Sequence, residues 1–179
     1  MKIACLGWGS LIWRPQNLMI QRVWFNDGPF LPIEYTRKSQ DGRLTLVINP
    51  GSKNVRTLWA LMDTQNLEEA KTSLKIREGI RREDIGSIDK TGTPDDSINK
   101  TIVSWANSID IDSVIWTNLK PKFNEEKKTP TLSDALEYVA GLDINIRQHA
   151  EEYIRKTPQQ IDTDYRKAFE KEFGWTYLG

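Results

Sequence analysis

The run Ile3-Ala4-Cys5-Leu6 is apolar at every position and breaks at Gly7-Trp8-Gly9. A short apolar run without alternation reads as a strand buried on both faces, so the chain has to build a sheet around its own first segment. Glycines one residue apart, directly after that strand, let the backbone turn sharply and approach a ligand with no Cβ in the way. Successive backbone N–H groups in such a turn form a small anion cradle. The same residues serve equally as a tight turn leaving a central strand, with Trp8 and Trp13 in the core.

The next segments keep to strand periods. Asn26-Asp27-Gly28-Pro29 is a turn by composition. From Leu31 to Lys38 the chain alternates, with Ile33, Tyr35 and Arg37 on one face and Glu34, Thr36 and Lys38 on the other. Arg37 therefore shares the apolar side, where a guanidinium wants a carboxylate from the protein or a ligand, unless it bends out to solvent. Gln40-Asp41-Gly42 signals a hairpin whose return is Leu44–Ile48, and Val55 to Met62, apolar on both faces, predicts one further central strand.

At Asn66 the period changes. Asn66 is a good N-cap, Glu68 and Glu69 suit the first turn, Leu67, Ala70 and Leu74 form a stripe, and Gly79 stands where a left-handed C-cap is expected. Glu78 is then an acid at the negative end of a helix. That placement raises its pKa, as a general base working near neutrality requires. A surface glutamate paired with Arg77, Arg81 or Arg82 accounts for the same residue.

Further along, residues 83–89 suit a short strand, Thr93-Pro94-Asp95-Asp96 starts a helix, and Ser113–Thr117 is an apolar strand. Lys120 to Lys128 is a polar loop, a lid or a connection. The last third is helical: Thr131 caps one helix ending at Gly141, Asp143 to Lys156 is amphipathic, and Thr157-Pro158-Gln159-Gln160 reads as a capping box opening a third.

At 179 residues and 38% hydrophobic, the chain has the size for one core and is read as a single domain, 1–179, with a strand-rich part over 1–120 and helices over 131–175. Lys plus Arg balances Asp plus Glu at 25 each, which gives no field to hold nucleic acid. No apolar run has the length of a membrane span, a lone cysteine excludes an internal disulfide, and Met1-Lys2-Ile3 leads into a strand rather than a signal peptide, so a cytoplasmic location is expected.

Several chemistries are set aside. Ile12 stands where a dinucleotide fingerprint has its third glycine, and it also denies Ser10 the spacing of a nucleophile elbow. Cys5 and His149 are each the only one of their kind and read as a core thiol and a boundary histidine. No metal-ligand spacing stands out, and neither metal nor cofactor is expected.

The motifs left are Gly7-Trp8-Gly9-Ser10-Leu11-Ile12-Trp13-Arg14-Pro15 after a strand, Glu34-Tyr35-Thr36-Arg37, and Arg77-Glu78-Gly79 after a helix. In this order they resemble the gamma-glutamylcyclotransferase superfamily, closest to its ChaC-like branch, over about residues 1–80. That family opens on a Tyr-Gly-Ser-Leu loop, continued in this branch by Ile-Trp, and places its catalytic glutamate in an Arg-Glu pair at a comparable distance. The resemblance implies an α+β fold with a mixed, barrel-like sheet and peripheral helices. It also implies release of an amine from a small γ-glutamyl substrate by closure of 5-oxoproline, without metal or cofactor. Carried over, Gly7, Trp8, Gly9, Ser10 and Leu11 hold the γ-glutamyl end through backbone N–H groups and Glu78 moves the proton; Arg37 joins them as a substrate-binding candidate from the strand pattern alone. Trp8 departs from the family tyrosine, exchanging a hydroxyl for an indole, which leaves the substrate open. No counterpart of the family's later glycine-rich segment is evident around Leu58-Trp59-Ala60-Leu61. A carboxylate-binding protein without turnover, or an interaction module using its helices and tryptophans, would fit the same residues.

Overall fold

The computed structural model describes residues 1–126 and 128–179. Lys127, part of the predicted 120–128 loop, lies outside the described residues. Contacts divide the chain into two compact units: Met1–Gly7, Arg14–Leu31 and Arg56–Leu119 form the first, and Trp8–Trp13, Pro32–Val55 and Lys120–Gly179 the second.

The first unit is built on a mixed four-stranded sheet. β1 (Ile3–Gly7) lies between β5 (Leu58–Leu61), which is antiparallel to it, and β7 (Ser113–Thr117), which is parallel; β6 (Ile85–Asp89) closes the far edge antiparallel to β7. All five residues of β1 are buried, as its unbroken apolar run requires. Helix α1 (Leu67–Glu78) packs on β7 and β6. Its ends are those the sequence predicts: Asn66 accepts the N–H groups of Glu68 and Glu69, and Gly79 takes a left-handed conformation at φ 63°. Helix α2 (Ser97–Ser108) starts later than expected. Asp96, not Thr93, caps it by accepting from the Asn99 N–H, because a carboxylate three residues nearer the apolar stripe competes for the same role.

The second unit carries β2 (Phe30–Lys38), β3 (Leu44–Ile48) and β4 (Asn54–Arg56) in the order β3-β2-β4, with the strand ends Phe30, Leu31 and Arg56 counted to the first unit. The β2–β3 hairpin turns at Gly42, φ 86°. Helices α3 (Leu132–Ala140), α4 (Ile144–Lys156) and α5 (Asp164–Phe173) complete it, and α3 packs on both α4 and α5. The predicted capping box at Thr157 does not open a helix. Thr157 instead ends α4, its hydroxyl donating to the Tyr153 carbonyl and accepting from the Tyr35 hydroxyl, and α5 starts at the cap Thr163. A buried threonine with two partners already in place has none to spare for a new helix N-terminus.

Two expectations need correction. The strands form two open sheets rather than a closed, barrel-like one, and the predicted strand from Val55 to Met62 is two strands, one in each sheet. The break falls at Thr57, whose N–H and hydroxyl both donate to the Pro29 carbonyl while its own carbonyl accepts from the Gly28 N–H. Gly28 is required there: a Cβ would stand 2.5 Å from the Thr57 carbonyl oxygen.

Candidate functional site

Glu78 closes α1 and is not a surface acid. Its side chain is 19% exposed, and Arg77 Nη1 donates to it at 2.5 Å. Arg77 in turn is fixed by its Nε and Nη2 donating to the Arg14 carbonyl at 3.2 and 2.7 Å. The other basic residues proposed as partners are engaged elsewhere, Arg81 with Glu83 and Asp84 and Arg82 with Glu68. Burial raises the Glu78 pKa above the ordinary glutamate value, and the Arg77 charge and hydrogen bond only partly offset it. So the direction expected from the sequence holds, with desolvation as the main cause.

Cys5, in the middle of β1, lies close enough to Glu78 for the carboxylate charge to raise its pKa further, although burial is the larger cause. A thiol held that far from ionisation is a core group, as the sequence suggests. His149 is exposed, on α4 of the second unit. Among the described residues no group of three or more histidines, cysteines and acids could hold a metal ion, and no helix is long and apolar enough to cross a membrane.

The glycine loop divides between the units. Gly7 ends β1 in the first; Trp8 to Leu11 belong to the second. Gly9 has no left-handed φ, and its lack of a side chain serves close approach instead: a Cβ would meet the Tyr153 hydroxyl at 2.5 Å. The Tyr153 hydroxyl also accepts from the Leu46 N–H. Trp8 is buried, with Nε1 donating to the Leu46 carbonyl at 3.2 Å, and Leu11 is buried beside the half-buried Ser10. The indole is thus anchored to β3. What residues 8–11 can offer a ligand comes chiefly from their backbone and from Ser10.

Arg37 is half-buried in the second unit, and the structure gives it a carbonyl partner: Nη1 donates to Lys120 O at 2.7 Å. The β2–β3 register shifts only between Tyr35 and Arg37, beyond Glu34, and β2 is buried on both faces, Glu34 and Thr36 as well as Ile33 and Tyr35.

Glu34 was not singled out by the sequence because strict alternation put it on the outer face. It is 2% exposed; Oε1 accepts from the Tyr35 N–H at 2.9 Å and Oε2 from the Tyr165 N–H at 3.3 Å, in the first turn of α5. Burial pushes its pKa up to about 6, against the Thr163 side chain and the two backbone donors, which favour the charged form. A carboxyl with a raised folded pKa contributes stability that is full below its unfolded pKa and is lost as pH rises through the folded one. From the ordinary 4.5 to about 6 this amounts to about 2 kcal/mol. Urea unfolding of wild type and Glu34→Gln at pH 4 and 7.5 checks it: wild type should lose about 2 kcal/mol more than the variant on going up in pH. Equal losses would mean that Glu34 does not titrate between the two conditions.

No family model matches the chain, and no match is found among curated proteins or solved structures.

Proposed function

We propose that this protein is a γ-glutamylcyclotransferase-like enzyme that converts a small γ-glutamyl amide or peptide to 5-oxoproline and the free amine. The observation that carries the reading is Glu78: a mostly buried carboxyl with a raised pKa at the left-handed end of α1, fixed by an arginine itself tied to the Arg14 carbonyl. In the reaction the substrate's α-amino nitrogen attacks its own γ-carbonyl carbon, a C–N bond closes the lactam, and the bond to the leaving amine breaks. Glu78 takes one proton from the α-ammonium and passes it to the leaving nitrogen. The second proton, shed when the attacking nitrogen becomes the lactam N–H, follows by the same carboxylate, so that the amine leaves as its ammonium form. The transfer needs a group whose pKa lies between an ordinary carboxylate and neutrality. Nucleophile and electrophile belong to one molecule, so the protein mainly has to hold the ring-closing pose, and such pre-orientation is worth effective molarities on the order of 10⁵ M or more.

Gly7, where β1 ends, would hold the γ-glutamyl end through its backbone. Trp8 takes no part in this beyond anchoring the loop, since its indole nitrogen is engaged by β3. The test is release of 5-oxoproline, read by mass spectrometry, from a panel of γ-glutamyl amino acids, peptides and amines. Release from at least one member supports the reading; silence of folded protein across the panel overturns it in favour of a binding protein.

A further inference from the structure

Three buried polar side-chain atoms of the first unit have no hydrogen-bonding partner among the described residues: Trp24 Nε1, Trp116 Nε1 and Thr117 Oγ1. Their places differ. Trp116 pairs with Gly86 across β6 and β7, on the sheet face that also carries Leu6 and Trp59, and α2 covers that face through the Trp59–Trp105 ring contact. Trp24 lies outside the named strands. Thr117 is the last residue of β7 and points to the other face, which it shares with Ile115 and Cys5.

That face and that edge are where Glu78 lies. Cys5 and Ile115 are register partners in the parallel pair β1–β7, and Cys5 feels the Glu78 charge. Two residues further along each strand stand Gly7 and Thr117, at the carboxyl ends of neighbouring parallel strands. Such ends are where open α/β sheets take their ligands. The helix reaches the same edge: from Glu78 a short segment, residues 79–84, leads into Ile85, the register partner of Thr117. Glu78, Gly7 and Thr117 therefore cluster at one edge of one sheet.

A buried hydroxyl without a partner costs stability, and a folded protein keeps one where something else supplies the partner. We propose that the Thr117 hydroxyl is a substrate-binding group, donating a hydrogen bond to an oxygen of the γ-glutamyl moiety at the site of Glu78. This rests on the cyclotransferase reading, whose substrate brings acceptor oxygens on its carboxylate and its γ-carbonyl. Both are retained in 5-oxoproline, so product binding reports on the contact even where turnover does not.

The experiment compares wild type, Thr117→Val and Thr117→Ser in three respects: the catalytic efficiency, kcat/KM, with which each releases 5-oxoproline, calorimetric binding of added 5-oxoproline, and Tm. Valine keeps the shape and removes the orphaned hydroxyl. It should raise Tm while weakening catalytic efficiency and product affinity by about 10- to 100-fold, the usual worth of a hydrogen bond to a charged acceptor, and serine should stay near wild type. A hydroxyl serving the fold would give the opposite sign, a lower Tm in Thr117→Val. That result, or unchanged product affinity, overturns the proposal. A wild type that binds 5-oxoproline without turning over any γ-glutamyl compound, with affinity lost in Thr117→Val, removes the reaction and keeps the binding role. A wild type that neither binds nor turns over removes both.

Discussion

Glu78→Gln should lower 5-oxoproline release by about 10²- to 10⁴-fold at the level of kcat, the usual contribution of a positioned general acid–base group. Glutamine keeps the size of the side chain and a carbonyl oxygen to accept from Arg77, so the fold is expected to persist, while the amide can no longer take the ammonium proton. The wild-type pH profile supplies an independent check. The base must be ionised, and burial raises its pKa, so kcat/KM should climb with pH through a value above the ordinary glutamate range. In Glu78→Gln that limb should vanish along with the activity. Equal release by the two proteins would show that the proton moves by another route.

The second large effect is structural. In Gly86→Ala the new Cβ would sit closer than 3.0 Å to atoms of the Trp116 indole, and the indole is 4% exposed. The clash involves a rigid ring pinned across a strand pair rather than the tip of a flexible chain, so either the ring or the β6–β7 pairing has to shift. Overpacking of this kind costs about 3 kcal/mol, which for a chain of this size lowers Tm by about 6–12 °C. Because Trp116 precedes Thr117, the displacement should also weaken catalysis. An unchanged Tm would show that the indole has room to move.

Sequence and structure part company at recognisable places. Helix α1 is legible to the residue because its signals are local: Asn66 reaches N–H groups two and three positions on, and Gly79 relieves a strain of its own backbone. Thr131 as the cap of α3 and Asp143 at the start of α4 are read correctly for the same reason. Where a residue's partner lies far along the chain, the local signal misleads. Thr157 looks like a cap and is instead engaged by Tyr35, and Thr57 looks like the middle of a strand and is instead tied to Pro29.

The candidate site divides in the same way. The glycine loop and the acid beside Gly79 stand out in the sequence, whereas Glu34 and Thr117 do not. Glu34 is hidden because its side of β2 is covered by a remote segment, the start of α5 at Tyr165, and an unpartnered threonine hydroxyl leaves no pattern in a sequence at all.

The central position of β1, the limits of α1 and the chemical type of Glu78 were settled by the amino-acid order alone, because each follows from hydrophobic period or from capping within a few residues. Three things needed the folded chain: that the strands form two open sheets, that desolvation outweighs Arg77 in setting the Glu78 pKa, and that Thr117 stands at the edge where α1 ends. Strand order, burial and register depend on contacts between segments remote in the chain, and no local pattern encodes them.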